Sequence, residues 1–201
     1  MYMNNYKLRI SSFFLMLVFF FTSSAAPALA AFAYLYDANG NMTSDGTKCY
    51  EYNQANKMTK VKKCSNNQLI AEYVYDHTGK RVVKKEYENG TLKKTTFSPS
   101  DEFETIKTES TGATQSATYY KVNDELVAKK KPDGSKIYYH NDHLGSTSLL
   151  TNQSGAVVEQ TSYEPFGEVK SGGEASKYGY TGQEKDMETG LNYYDARYYD
   201  P

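Results

Sequence analysis

The chain of 201 residues carries 23 Lys and Arg against 24 Asp and Glu, both signs mixed along its length, with 20 tyrosines, nine phenylalanines and no tryptophan. A near-neutral balance without a basic stripe argues against a nucleic-acid partner, and no polybasic run offers a membrane-surface patch. Tyrosine suits a half-buried pleated surface, ring inward and hydroxyl on a polar partner, and apolar residues at helical spacing are scarce, so a β protein is expected.

Residues 1–30 read as a signal peptide. Lys7 and Arg9 precede a predominantly apolar stretch over residues 10–21, with Phe at 13, 14, 19, 20 and 21, and Ala28-Leu29-Ala30 offers small residues to a signal peptidase. Twelve residues are short for a membrane span, which needs about 20. Cleavage after Ala30 predicts an exported product, secreted, periplasmic or on the cell surface, with no membrane association after cleavage; the alternative is a retained N-terminal anchor. Residues 31–201 keep 21 Lys and Arg against 24 Asp and Glu, a net charge of −3, and 18 of the tyrosines.

Residues 31–135 read as consecutive β-hairpins. One short pattern occurs three times: Tyr34-Leu35-Tyr36-Asp37-Ala38-Asn39-Gly40, Tyr50-Glu51-Tyr52-Asn53-Gln54-Ala55-Asn56 and Tyr73-Val74-Tyr75-Asp76-His77-Thr78-Gly79. Tyrosines two apart share one face of a strand. Asp37, Asn53 and Asp76 bond their own backbone two residues on, Gly40, Asn56 and Gly79 supply a left-handed turn residue, and a Met or Val (Met42, Met58, Val82) restarts the apolar pattern. Self-similarity of this kind marks a repeat architecture. Cys49 and Cys64 flank the second copy, and export favours a disulfide. A turn centred on Gln54 and Ala55 sets Cys49 opposite Lys60, an offset too long for a bridge unless the chain bulges near Lys62-Lys63, so a bridge and two free thiols both stand. Alternating strands follow around Leu69–Tyr75 and Arg81–Tyr87, joined to Thr91 by Asn89-Gly90 in the type I′ manner. Residues 108–117 are a polar loop, and Pro132-Asp133-Gly134 is a tight turn.

From residue 136 onward three blocks stand out. Tyr138-Tyr139-His140-Asn141-Asp142-His143-Leu144-Gly145-Ser146-Thr147 resembles the opening of the Rhs repeat-associated core region. Tyr163-Glu164-Pro165-Phe166-Gly167-Glu168 is similar to that region's second element. Tyr180-Thr181-Gly182-Gln183-Glu184-Lys185-Asp186-Met187-Glu188-Thr189-Gly190-Leu191, with Tyr194-Asp195-Ala196-Arg197-Tyr198-Tyr199-Asp200-Pro201, resembles its third. The upstream hairpins resemble the YD repeats of Rhs proteins, Tc-toxin C components and teneurins. The resemblance implies an all-β strip of consecutive antiparallel hairpins forming part of a spiral shell, which in bacterial members encloses a toxic C-terminal segment and in animal relatives serves adhesion. The family continues beyond the Asp200-Pro201 position into a self-cleavage segment and a toxin, so the chain is expected to be shell material without either, in a truncated core over residues 136–201.

The candidate chemistry is sparse. His140, Asp142 and His143 lie too close on an extended segment to converge on a metal, and Asp142 is better read as capping a turn into Leu144-Gly145-Ser146. Ser146, His143 and Asp142 lack the separate elements and the Gly-x-Ser-x-Gly elbow of a hydrolase triad. Glu184, Asp186 and Glu188 read as an exposed acidic surface, with a short helical turn near 184–188, rather than a glycosidase pair. Arg197, among four tyrosines, is the one charge expected to be buried or half-buried. The expectation is a non-enzymatic scaffold or surface interaction module without metal or cofactor, pairing with itself or another shell chain through open strand edges. The alternative is an orphan or split part of a polymorphic toxin system whose toxin product lies downstream.

Overall fold

The computed structural model describes residues 34–201; the expected leader, residues 1–30, lies outside them. Thirteen strands form one antiparallel sheet in strict chain order: β1 (Leu35–Tyr36), β2 (Met42–Ser44), β3 (Lys48–Tyr52), β4 (Met58–Lys63), β5 (Leu69–Tyr75), β6 (Arg81–Glu88), β7 (Thr91–Ser100), β8 (Phe103–Thr108), β9 (Thr114–Val122), β10 (Glu125–Lys130), β11 (Lys136–Asn141), β12 (Thr147–Asn152) and β13 (Val157–Gln160). β1 and β13 do not pair, so the sheet is an open strip. It crosses the repeat-to-core boundary at residue 136 without interruption. A hairpin of β14 (Ser162–Tyr163) and β15 (Val169–Ser171) follows, then a C-terminal unit of β16 (Glu184–Lys185), β17 (Asn192–Tyr194) and β18 (Arg197–Tyr199). The helical element among the described residues is a single 3-10 turn at Tyr180–Gly182, just before the place where a helical turn is expected.

Between paired strands one loop recurs seven times. Its first residue (Asp37, Asn53, Asp76, Lys131, Asp142, Asn152 or Glu164) donates its N–H to the carbonyl of the residue four on, and its own carbonyl accepts from the residue three on. That fourth position has positive φ in every copy: Gly40, Asn56, Gly79, Gly134, Gly145, Gly155 and Gly167. In five copies the Asp or Asn side chain adds two more bonds; Asp76 Oδ1, for example, accepts from Thr78 N at 2.8 Å and Lys80 N at 3.0 Å. The loop is one residue longer on its return side than a tight turn, and a register shift follows at Tyr36, Tyr52, Tyr75 and Asn141. By contrast Asn89-Gly90 is a true two-residue turn, with Glu88 opposite Thr91.

The shift decides which residues face inward. After the loop the first and fourth residues of the return strand share the inner face: Met58 and Val61, Arg81 and Lys84, Thr147 and Leu150, all buried. In the third repeat Arg81 therefore takes the place that methionine holds in the second, not Val82. The shift also moves Cys49 opposite Lys62 instead of Lys60. Cys64, just past β4, then lies diagonal to Cys49 with α-carbons 5.1 Å apart, and the two are bridged.

Two apolar clusters cover the inner face. One gathers Tyr50, Met58, Val61, Ala71 and Tyr73 around Leu191 of the C-terminal unit, and the other gathers Ala117, Tyr119, Leu126, Ile137, Tyr139 and Leu150, with Tyr178 packed against it. On the opposite face Glu51, Lys60, Glu72 and Lys85 pair across successive strands as a ladder of alternating charge.

Candidate functional site

The C-terminal unit shares no ladder with the large sheet; its side chains hold it across the inner face. The three sequence blocks meet where it begins. The Asp142 loop, closed by Asp142 Oδ1 accepting from Leu144 N at 2.8 Å and Ser146 N at 2.9 Å, abuts the 3-10 turn. Thr147 N donates to Gly179 O at 3.1 Å and Thr181 N to Ser146 Oγ at 3.0 Å. From the second block, Tyr163 donates to Thr147 O at 2.9 Å, while Tyr180 and Tyr199 donate to the carbonyls of Pro165 (3.2 Å) and Phe166 (2.7 Å). Gly167, at φ +96°, passes beneath the Tyr180 ring, where a Cβ would collide. Gly182 faces Gly145 O, leaving no room for more than a strained Cβ at 3.2 Å.

Beyond this junction lies a seam of buried charge. The turn from Asp186 to Leu191 closes through Asp186 N to Leu191 O at 2.8 Å and Gly190 N to Asp186 O at 2.7 Å, with Gly190 at φ +79°. It drops Leu191 into the apolar cluster and aims Asp186, fully buried, at β6. Arg81 Nη1 meets Asp186 Oδ2 at 2.5 Å and its Nη2 meets Glu184 Oε1 at 2.6 Å. The guanidinium lies 4.2 Å from the Tyr193 ring centroid and 5.0 Å from that of Tyr73, and Tyr198 stacks on Tyr73 at 5.2 Å. Lys84 reaches Asp186 Oδ1 at 3.0 Å; Lys177 reaches Glu184 at 3.0 Å and Glu104 at 2.7 Å. Burial alone would weaken these charges, but the facing carboxylates outweigh it and hold Arg81, Lys84 and Lys177 firmly protonated. Burial likewise opposes the Glu184 charge, and Lys177 and Arg81 override it, lowering that carboxyl to about 2.

The sequence expectations are corrected at three points. Asp186 is fully buried and Glu184 and Glu188 are half-buried, all three as partners of cations and not as an exposed acidic surface. Arg197 is exposed; the buried arginine is Arg81, which sequence reasoning passed over. Tyr198, its neighbour, does enter the seam, where its hydroxyl meets Tyr75 Oη at 3.1 Å. His140, His143 and Leu144 are exposed, and Ser146 is fully buried with its hydroxyl accepting from Thr181. Tyr36, Asp37 and Gly40 lie in the first loop; Asn53, Asp76 and Gly79 occupy the loops after Tyr52 and Tyr75. Gln183 closes the 3-10 turn by donating its N–H to Tyr180 O. A cleft of about 450 Å³ opens beside the seam, lined by Arg81, Lys84, Glu104, Lys177 and Glu184, charges already paired with one another.

Comparison with known proteins places this fold in a family. The teneurin YD-shell family model matches residues 27–201. The chain belongs to the YD-shell family. A tRNA3(Ser)-specific nuclease WapA of Bacillus spizizenii is 30% identical over 172 residues, which is 83% of this chain and 7% of that protein. Toxin subunit YenC1 of Yersinia entomophaga is 29% identical over 72% of this chain and 17% of its own length. The crystal structure of TcdB2-TccC3 superposes with a TM-score of 0.69 at 19% identity, over 83% of this chain and 9% of that one. This YD-shell chain thus spans a small fraction of the relatives it matches.

Proposed function

We propose that the chain is a non-catalytic segment of YD-shell wall, a scaffold whose sheet edges accept further hairpins. The observation that carries this reading is the seam. The unit that could have presented reactive carboxylates pairs them with Arg81, Lys84 and Lys177, leaving the three sequence blocks to brace one another through backbone carbonyls and turn glycines. An open strip leaves the backbone groups of β1 and β13 available for pairing, and the chain's small share of its relatives fits a piece of a longer wall. We place the product outside the cytoplasm on the strength of the leader, a location in keeping with the bridged cysteines; no helix among the described residues is long and apolar enough to cross a membrane. Light scattering of the purified protein over a range of concentrations should show self-association that a synthetic Tyr-x-Tyr hairpin suppresses. A strictly monomeric protein indifferent to the hairpin would count against edge pairing. Turnover of tRNA or of generic ester and glycoside substrates by the purified chain would overturn the non-catalytic reading.

The relatives' names favour a second reading on the same fold, service in a toxin-associated system. Co-purification of the chain with the product of an adjacent open reading frame tests it, and failure of the two to associate when co-expressed would argue against it.

A further inference from the structure

We propose that Glu188 is a proton-binding site that sets how tightly the C-terminal unit is held on the sheet, the seam loosening as the proton leaves. The geometry singles out this carboxyl among its neighbours. Both oxygens of Asp186 are engaged, by Arg81 and Lys84, and both of Glu184, by Arg81 and Lys177. Glu188 has only Lys84, at 3.5 Å from Oε2, and its buried Oε1 meets no hydrogen-bond partner among the described residues. Lys84 is already shared: Asp186 at 3.0 Å, Glu86 at 3.5 Å and Glu184 at 4.0 Å surround the same ammonium. A second group nearby is also orphaned. The hydroxyl of Tyr73, a residue only 3% exposed and opposite Lys84 in the ladder, lacks a partner too. The charged and titratable groups around the site are Arg81, Lys84 and Glu86 from β6, Tyr73 from β5, Tyr198 from β18, Glu184 from β16 and Asp186 at the head of the turn. Asp186 and Glu184 also have Arg81 and Lys177, and Glu86 has Lys94, so Glu188 alone depends on the shared Lys84, and a proton on this least-partnered carboxyl removes a buried charge that is poorly compensated.

Burial first, then the Asp186 charge, pushes the Glu188 carboxyl from its ordinary value near 4.5 up to about 7. A carboxyl that binds its proton more tightly folded than unfolded contributes stability that is complete in mild acid. That contribution is lost as pH rises toward 7, and the curve is flat above it. The decisive experiment is amide hydrogen exchange of the β16–β18 residues between pH 5 and 8, in the full chain and in Glu188→Gln, with carbon NMR of the Glu188 carboxyl alongside. After correction for base catalysis, the opening constant of the wild-type unit should rise by roughly one to two powers of ten across that range, and Glu188→Gln should flatten it. A flat wild type, an unchanged slope in Glu188→Gln, or a carboxyl midpoint in the ordinary glutamate range overturns the proposal; the last holds even where the variant fails to fold.

Discussion

Replacing Arg81 by methionine keeps most of the side chain's length and apolar stem while removing the fork that joins β6 to the C-terminal unit. Two charge-assisted hydrogen bonds go, to Asp186 at 2.5 Å and Glu184 at 2.6 Å, each worth about 1.5–3 kcal/mol, together with the cation lying 4.2 Å from Tyr193. The carboxylates are not wholly orphaned, because Lys84 and Lys177 each remain at 3.0 Å. That residual pairing holds the cost near the middle of the roughly 3–5 kcal/mol expected when one member of a buried pair is lost, about 4 kcal/mol. For a unit of this size it corresponds to a fall of about 8–16 °C in Tm. Arg81→Lys should lose about half as much, since an ammonium serves one carboxylate well but not two in a fork. Adding Asp186→Leu to Arg81→Met should recover part of the loss by removing the uncompensated anion, a coupling that a double-mutant cycle in urea measures directly. Should Arg81→Met unfold within about 1 kcal/mol of wild type, the seam is ornament on an apolar contact made by Leu191 and the reasoning is wrong.

Cys64→Ser opens a bridge of sequence separation 15, and urea unfolding should register a loss of about 3 kcal/mol, matched by reductant on the wild type and absent when reductant is added to the variant. Gly167→Ala must hold a side chain at φ +96° against the Tyr180 ring, so a loss of about 2–4 kcal/mol is expected, and a neutral result would mean that the second block does not support the third. Acid should weaken the fold in a defined window. Glu184 is held at about 2 by Lys177 and Arg81 against its burial, and Asp45 is lowered to about 2 by the Lys48 N–H and Tyr50 hydroxyl, again against burial. Depressed carboxyls contribute stability that is present above the ordinary carboxylate range and lost as pH falls from near 4 toward 2, so the urea midpoint should drop across that interval and Glu184→Gln should shallow the drop.

The hairpin strip was legible because its determinants are local. Tyrosines two apart, a loop-opening Asp or Asn, and a residue that tolerates positive φ four positions into the loop all lie within a few residues of one another. The seam was not legible, and the loop is the reason. Strict alternation puts Arg81 and Lys84 on opposite faces, which is how the sequence reads them. The register shift at Tyr75 inserts one residue and turns both inward, three apart, as it does for Met58 with Val61. The same shift upset the expected pairing of Cys49 with Lys60. Arg197 misled for a complementary reason: its tyrosine neighbours are buried or half-buried, but on β18 its own place, opposite Tyr194, faces out. Basic residues at both the first and the fourth places after such a loop, where β4 carries Met and Val and β12 carries Thr and Leu, were the available clue.

That exception on β6 also explains how the C-terminal unit finds its place. The sheet repeats the same loop and inner-face geometry along its length, so ladder bonds alone do not distinguish one docking position from the next. Leu191 supplies apolar area wherever the inward pair is Met and Val or Thr and Leu. Asp186 is fully buried, and over any of those pairs it would be an anion in an apolar setting without a cation, at a cost of several kcal/mol. Among the described strands, β6 presents two buried cations in the places that Met and Val hold on β4 and Thr and Leu on β12. The charges therefore act less by adding net stability, which desolvation largely cancels, than by penalising every other position.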